Sequence, residues 1–199
     1  MARRGIMGPL QAILAVLLVA TACDEDNPFR GVVPVVNEGD AQVWELALPE
    51  FPSGWDFAAG ERFFIGTSET GSTFGTWALD SRTDGTLSFR PFSTLAPNLS
   101  FIRTGIIDLG AVPFDTVETA PSGGYSSVND PAGVPVIEGH TYVFRISFIN
   151  TGGVVPINYA KLSVIDLGQE FAGNPSSRFI RFEWAYQVQP LNRRLVADL

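Results

Sequence analysis

Apolar and polar residues alternate along most of this chain. Ile180, Phe182, Trp184, Tyr186 and Val188 fall on one side, with Arg181, Glu183, Ala185 and Gln187 on the other. Tyr142, Phe144, Ile146 and Phe148 alternate in the same way with Val143, Arg145 and Ser147, and Leu87 and Phe89 with Thr86, Ser88 and Arg90. A period of two is the mark of a strand with one face on a core. The same rule sets Trp44, Leu46 and Leu48 on the inner face of a strand over 41–48. Phe63, Phe64 and Ile65 are expected as a short buried run.

Turn chemistry separates these runs at Gly71-Ser72, Asp84-Gly85, Ser122-Gly123-Gly124, Asn129-Asp130-Pro131, Glu138-Gly139, Gly152-Gly153 and Asn174-Pro175. Roughly ten strands at this spacing predict an all-β fold, a two-layered antiparallel β-sandwich or distorted barrel. No stretch reads as a helix, and no repeat or second-domain linker is visible.

The N-terminus follows a different pattern. Arg3 and Arg4 precede an apolar run from Leu10 to Val19, which ends in Ala20-Thr21-Ala22-Cys23. A positive start, an apolar stretch and small residues before a cleavage point form a secretory signal. Retention as a spanning helix is the competing reading. It is disfavoured because Pro9 and Gln11 interrupt the start and a span needs about 20 apolar residues. A cysteine directly after the small residues is the pattern of a bacterial lipoprotein, so Cys23 is expected to carry lipid. Residues 1–22 then form the signal and 23–40 a lipidated, extended tether with an acidic start, Pro28 and Pro34. Residues 41–199 form one β domain. The expected location is the cell envelope, anchored to a membrane through lipid, with the outer membrane or cell surface ahead of the inner membrane.

Charge and cysteine count narrow the partners. The net charge is −8 and Lys161 is the only lysine, which argues against nucleic acid or anionic lipid surfaces. Cys23 is the only cysteine, so no intramolecular disulfide can form and stability must come from burial.

From Phe114 onward the motifs fall in a specific order. Phe114-Asp115-Thr116-Val117-Glu118-Thr119-Ala120-Pro121 leads to Gly124-Tyr125, then to Gly139-His140-Thr141-Tyr142-Val143-Phe144-Arg145. Tyr159-Ala160-Lys161-Leu162 follows, and the chain closes with Phe182-Glu183-Trp184-Ala185-Tyr186-Gln187, Pro190 and Asn192-Arg193-Arg194-Leu195. This succession, over residues 112–196, resembles the carboxy-terminal half of the HmuY-like family of bacterial envelope lipoproteins. The first half matches less well: a Trp-Asp-Leu-Ala-Phe-type strand has two partial counterparts, Trp77-Ala78-Leu79-Asp80 and Trp44-Glu45-Leu46-Ala47-Leu48. The resemblance implies an all-β, lipid-anchored domain in a lineage that captures haem for iron acquisition.

Counting limits how haem iron could be held. Proteins use His, Met, Cys thiolate or Tyr. Met1 and Met7 leave with the signal, lipid occupies Cys23, and His140 is the only histidine. A two-histidine or histidine–methionine site is therefore impossible within one mature chain, although His140 from each of two chains could sandwich a haem. His140 sits between Gly139 and a strand, so a partly exposed turn residue is the simpler reading. Among the tyrosines, Tyr142 and Tyr186 lie on core faces. Tyr125 follows Gly123-Gly124 and is the most available, but a tyrosinate needs its pKa of about 10 lowered by a cation. Arg62, Arg82, Arg90 and Arg103 are candidates for propionates, each equally readable as a solvated strand charge. The ligand-binding candidates are Tyr125 and His140. There is no catalytic candidate and no confident metal ligand set.

Enzymatic readings find no support in the pattern. No Gly-x-Ser-x-Gly elbow is present, zinc has too few nitrogen or sulfur ligands, and the carboxylates are scattered. The expected function is a non-enzymatic envelope lipoprotein that captures haem or another apolar ligand. The alternative is a structural or protein-interaction lipoprotein with no small ligand, meeting envelope proteins through loops at 150–153 and 120–131. A weaker third reading is glycan binding by exposed Trp55 or Trp77. Replacing Cys23 with Ala is expected to move the protein from the membrane to the soluble fraction. Membrane retention of Cys23→Ala on fractionation overturns lipidation.

Overall fold

Among the described residues, ten strands form two antiparallel five-stranded sheets packed face to face, an all-β architecture of the kind the alternation predicts. The computed structural model describes residues 36–65, 75–97, 101–149, 155–174 and 177–196. Cys23, the signal, the acidic start of the tether, and the turns at 71–72 and 152–153 lie outside the described residues.

The strands are β1 (Val36–Trp44), β2 (Gly54–Asp56), β3 (Glu61–Phe63), β4 (Trp77–Ser81), β5 (Leu87–Pro91), β6 (Ile102–Asp108), β7 (Val134–Pro135), β8 (Thr141–Phe148), β9 (Ile157–Gln169) and β10 (Arg178–Gln187). The larger sheet has the order β1-β10-β9-β8-β6, the smaller β3-β2-β4-β5-β7. The described residues also hold one helical turn, α1 (Phe92–Leu95), and a 3₁₀ turn at Phe114–Thr116.

The inner faces of β8 and β10 are those the alternation predicts: Tyr142, Phe144, Ile146, Ile180, Phe182, Trp184 and Tyr186 are buried in one cluster. They interlock with Trp55, Phe57, Trp77 and Phe89 of the smaller sheet and its loops. Trp77 meets Phe89 at 4.8 Å, Phe57 meets Phe144 at 5.0 Å, and Trp55 meets Phe182 at 5.3 Å between ring centroids, all tilted or edge-on. Such pairs add to the burial of large apolar area. Trp55 and Trp77 are 3% and 0% exposed, so neither offers a platform to a sugar ring. Their indoles belong between the sheets because strands β2 and β4 turn them inward.

Three expectations change. The first strand begins at Val36, paired with Gln187, so residues 36–40 belong to the sheet and the domain starts before Ala41. In that strand Ala41 and Val43 point inward, not Trp44. Trp44 packs outside, against Phe51 at 5.0 Å and Phe179 at 6.5 Å. Aromatic neighbours on the outer face thus reverse the parity that hydrophobicity alone suggests. In the Phe63-Phe64-Ile65 run, only Phe63 is buried, while Phe64 is exposed. β3 is a three-residue edge strand, so it has one covered side.

Several residues expected on the polar side are also buried. The segment from Leu109 to Ala120 and the C-terminal stretch cover the outer face of β8 and β9. There Val117, Ala120, Val143, Tyr159 and Leu195 form a second cluster. Ala120 N–H donates to the Arg193 carbonyl at 2.8 Å and Leu195 N–H to the Glu118 carbonyl at 2.7 Å, pinning the two covering segments together. Gln187 is buried because its amide donates to the Arg194 carbonyl at 2.8 Å and accepts from Gln189 N–H at 2.9 Å.

Glu45, just past β1, is 3% exposed and ties the sheets together. Arg178 at the start of β10 donates to both of its carboxylate oxygens, at 2.9 and 3.0 Å, and also to the Gly85 carbonyl at 2.7 Å. The Ser81 hydroxyl of β4 bonds both partners. A bidentate pair whose carboxylate is buried is costly to break once formed.

Replacing Phe182 with Ala is expected to cost about 3–5 kcal/mol, because a large cavity opens between the sheets. Phe64→Ala should stay within about 0.5 kcal/mol. Urea unfolding of the two variants checks the contrast, and equal losses contradict the sandwich packing.

Candidate functional site

The two ligand candidates lie on opposite faces of the larger sheet. Asp108 at the end of β6 pairs with Tyr142, whose side chain points between the sheets. His140, just before β8, sets its Nδ1 at 3.0 and 3.1 Å from the two carboxylate oxygens of Asp108. Its side chain is 24% exposed, so it is a partly open residue at the end of the sandwich. In the sequence Asp108 is one of several scattered carboxylates, with no sign that it partners His140. Nothing local marks it, since only the β6–β8 register brings two residues so distant in sequence together.

Tyr125 belongs to the outer cluster. Its loop crosses β6 at Gly105, where an added Cβ would fall 3.1 Å from the Tyr125 Cβ and 3.3 Å from the Ser126 carbonyl oxygen. Ser126 N–H donates to the Ile106 carbonyl at 2.8 Å, and Ile106 N–H to the Ser126 hydroxyl at 3.1 Å. The Tyr125 hydroxyl donates to the Pro121 carbonyl at 2.9 Å. The loop is thus docked on β6 across Gly105, and Tyr125 is not free. Burial pushes its hydroxyl up to about 12, nearby Tyr159 adds to this, and Arg193 and Arg145 offset it only in part. Cations are present, but desolvation wins. Iron ligation by tyrosinate needs the opposite shift.

The arginines considered for propionates are dispersed. Arg62 on β3 lies over the Trp44 ring at 5.8 Å, and Arg90 on β5 is paired with Asp80. Arg103 on β6 donates to the Ile102 carbonyl at 3.2 Å, and Arg82 belongs to the β4–β5 turn. They do not converge on His140 or Tyr125. Tyr142 and Tyr186 are core residues, as the alternation predicts. The Tyr142 hydroxyl accepts from Ile137 N–H at 2.9 Å and donates to the Pro135 carbonyl at 3.0 Å.

The chain matches no family model, no curated protein and no solved structure.

Two grooves flank β1. One follows the seam between the edges β1 and β3. Asp40, Gln42, Trp55, Glu61 and Arg62 line it, and it encloses about 430 Å³. The other lies where β1 meets β10 and β9, lined by Asp40, Gln42, Ile165, Arg181 and Phe182, with about 400 Å³. Ile165 is the extra residue of a bulge between the Arg181↔Asp166 and Phe182↔Val164 pairs, which turns it outward.

Carboxylates gather on the outer face beside these grooves. Asp40 stands directly across the ladder from Glu183, and Glu38 two residues along. Burial raises the Glu183 carboxyl above its ordinary range, Asp115 and Asp40 push it further, and Lys161 offsets them in part. Lys161 is itself only 2% exposed. Its ammonium donates to the Phe114 carbonyl at 2.9 Å and the Val117 carbonyl at 3.1 Å, and it sits 4.1 Å from the centre of the Phe114 ring. Burial lowers its pKa despite the surrounding acids. The only lysine is thus a clamp for the covering segment. Among the described residues, no group of His, Cys, Asp and Glu could hold a metal ion.

Alkaline titration tests the buried tyrosines. Tyr125 and Tyr186 are both expected to hold their protons up to about 12. The unfolded chain loses those protons near pH 10, so stability should fall as pH rises from about 10 to about 12. Phenolate absorbance that appears together with loss of near-UV circular dichroism fits this. A tyrosine ionising below pH 9 in the folded protein contradicts it.

Proposed function

We propose that this chain is an exported, lipid-anchored envelope protein whose β-sandwich serves as a non-enzymatic protein-interaction module. The observation that carries this reading is the filling of the space between the sheets. Aromatic rings from both sheets meet at centroid distances near 5 Å, as with Phe57 and Phe144 at 5.0 Å and Phe89 and Tyr142 at 4.9 Å. Close-packed interiors leave no room for a porphyrin without large rearrangement. Accessible chemistry is then concentrated on edges and grooves, which suits a partner surface better than an enclosed ligand. The N-terminal pattern ending at Cys23 supports export and anchoring, and the resemblance of residues 112–196 to HmuY-like lipoproteins supports an envelope role.

One observation favours haem capture as a second reading. The Asp108 carboxylate holds Nδ1 of His140, so Nε2 is the ring nitrogen that would meet a metal. A carboxylate behind a histidine is the usual support for a metal-ligating imidazole. His140 would then supply one axial ligand at the end of the sandwich, and a second copy the other.

Haemin titration separates the readings. For an interaction module the expected result is a broad, unsaturating absorbance change, unaltered in His140→Ala and Tyr125→Phe. A sharp Soret shift that saturates at one equivalent or one half, and is lost in His140→Ala, overturns the interaction reading in favour of haem capture.

A further inference from the structure

We propose that the free edge of β1 takes up an extended, basic segment of a partner protein as an added strand. This rests on the interaction reading above and names its surface and the chemistry of its partner.

Backbone polarity along β1 gives the first argument. Glu45 N–H donates to the Arg178 carbonyl at 2.8 Å on the β10 side, while Trp44 N–H donates to the Pro52 carbonyl at 3.1 Å on the other. Backbone groups in an antiparallel ladder point to alternate sides. Those of Glu38, Asp40 and Gln42 therefore face away from β10, and no other strand of the described residues pairs with them. β1 is a nine-residue edge without a proline or an interruption of its pairing register. Natural proteins seldom leave such an edge unguarded.

The grooves give the second argument. Both are lined by Asp40, Ala41 and Gln42, one toward the sheet seam and one on the outer side. An added strand sends successive side chains to opposite faces. Each groove would receive alternate side chains, while main-chain bonds to Glu38, Asp40 and Gln42 hold the segment. That division of labour is the physics of strand addition.

Charge selects the occupant. Glu38 and Asp40 lie on the edge strand itself, Glu183 beside them and Glu61 across the seam. Arg181 is taken up by Asp166 at 2.6 Å, Arg62 lies over Trp44, and Lys161 is buried. A second copy pairing antiparallel through β1 about its centre would set Asp40 against Asp40. Like charges directly opposite are unfavourable. A strand bearing Lys or Arg meets the opposite situation, and the carboxylates then act as a filter as well as a guard.

The test uses the full-length chain in neutral detergent and two synthetic peptides of about ten residues, a typical strand length or slightly more. One alternates Val and Lys, the other Val and Glu. The expected result is saturable binding of the Val-Lys peptide, read by tryptophan fluorescence, with slowed amide exchange at Glu38, Asp40 and Gln42. Gln42→Pro removes an outward N–H and leaves the β10 ladder intact, as edge prolines do. It should weaken binding by about tenfold with all carboxylates still present. The double variant Glu38→Lys, Asp40→Lys should reverse the preference toward the Val-Glu peptide, and it carries the test if Gln42→Pro does not fold.

Absence of saturable Val-Lys binding, or unslowed exchange at the three amides, overturns the proposal. So does Val-Lys binding undiminished in a folded Gln42→Pro, which would mean charge attraction without strand addition. Sedimentation showing self-association that Gln42→Pro abolishes would assign the edge to a second copy and overturn the choice of partner. Each of these results can occur while haemin binding remains unsaturable, so failure here is distinct from failure of the interaction reading.

Discussion

Interlocking aromatic rings between two twisted sheets hold this domain together. The domain has no cysteine beyond Cys23 and so no internal cross-link, and the burden falls on burial. Trp77 is central: it stands 4.8 Å from Phe89, 5.6 Å from Phe182 and 6.1 Å from Phe144, and so touches both sheets. Pairs at these distances leave the rings few ways to rearrange. The rest of the molecule is arranged around that layer. The indole N–H groups of Trp55, Trp77 and Trp184 have no acceptor within it, a cost that the layer accepts in exchange for shape.

A filled interior moves accessible chemistry outward. The outer face of the larger sheet carries a second, smaller core under two covering segments, held by the clamp of Lys161 on the Phe114 and Val117 carbonyls. Tyr125 is drawn into that cover. His140 remains at the end of the sandwich with Asp108 behind it. Among the described residues, β1 is a nine-residue edge, where the carboxylates of Glu38, Asp40 and Glu183 set the local field. Electrostatics of this kind governs which partner approaches more than how tightly it binds.

The loops considered as interaction surfaces fared differently. Residues 150–153 include only positions outside the described residues. The loop over 120–131 is docked on β6 through Ser126 and Gly105. Its glycines looked like a sign of availability. The close passage falls instead at Gly105 of β6, where a Cβ would crowd Tyr125 and Ser126, a contact invisible without the partner strand.

Alternation in the chain was enough to predict a two-layered all-β fold, a sandwich or distorted barrel, and the inner faces of β8 and β10, because a pleated strand imposes a period of two on any sequence with one face in a core. Counting was enough to show that His140 is the only histidine and that the only methionines are Met1 and Met7. Tertiary structure alone decided the rest. It reversed the parity of β1 by covering Trp44 with Phe51 and Phe179, extended that strand back to Val36, and buried Trp55 and Trp77. It brought Asp108 to His140 and set Tyr125 on the other face. Periodicity is a local property, whereas register, edges and covers depend on which distant segments meet, and no residue carries that information by itself.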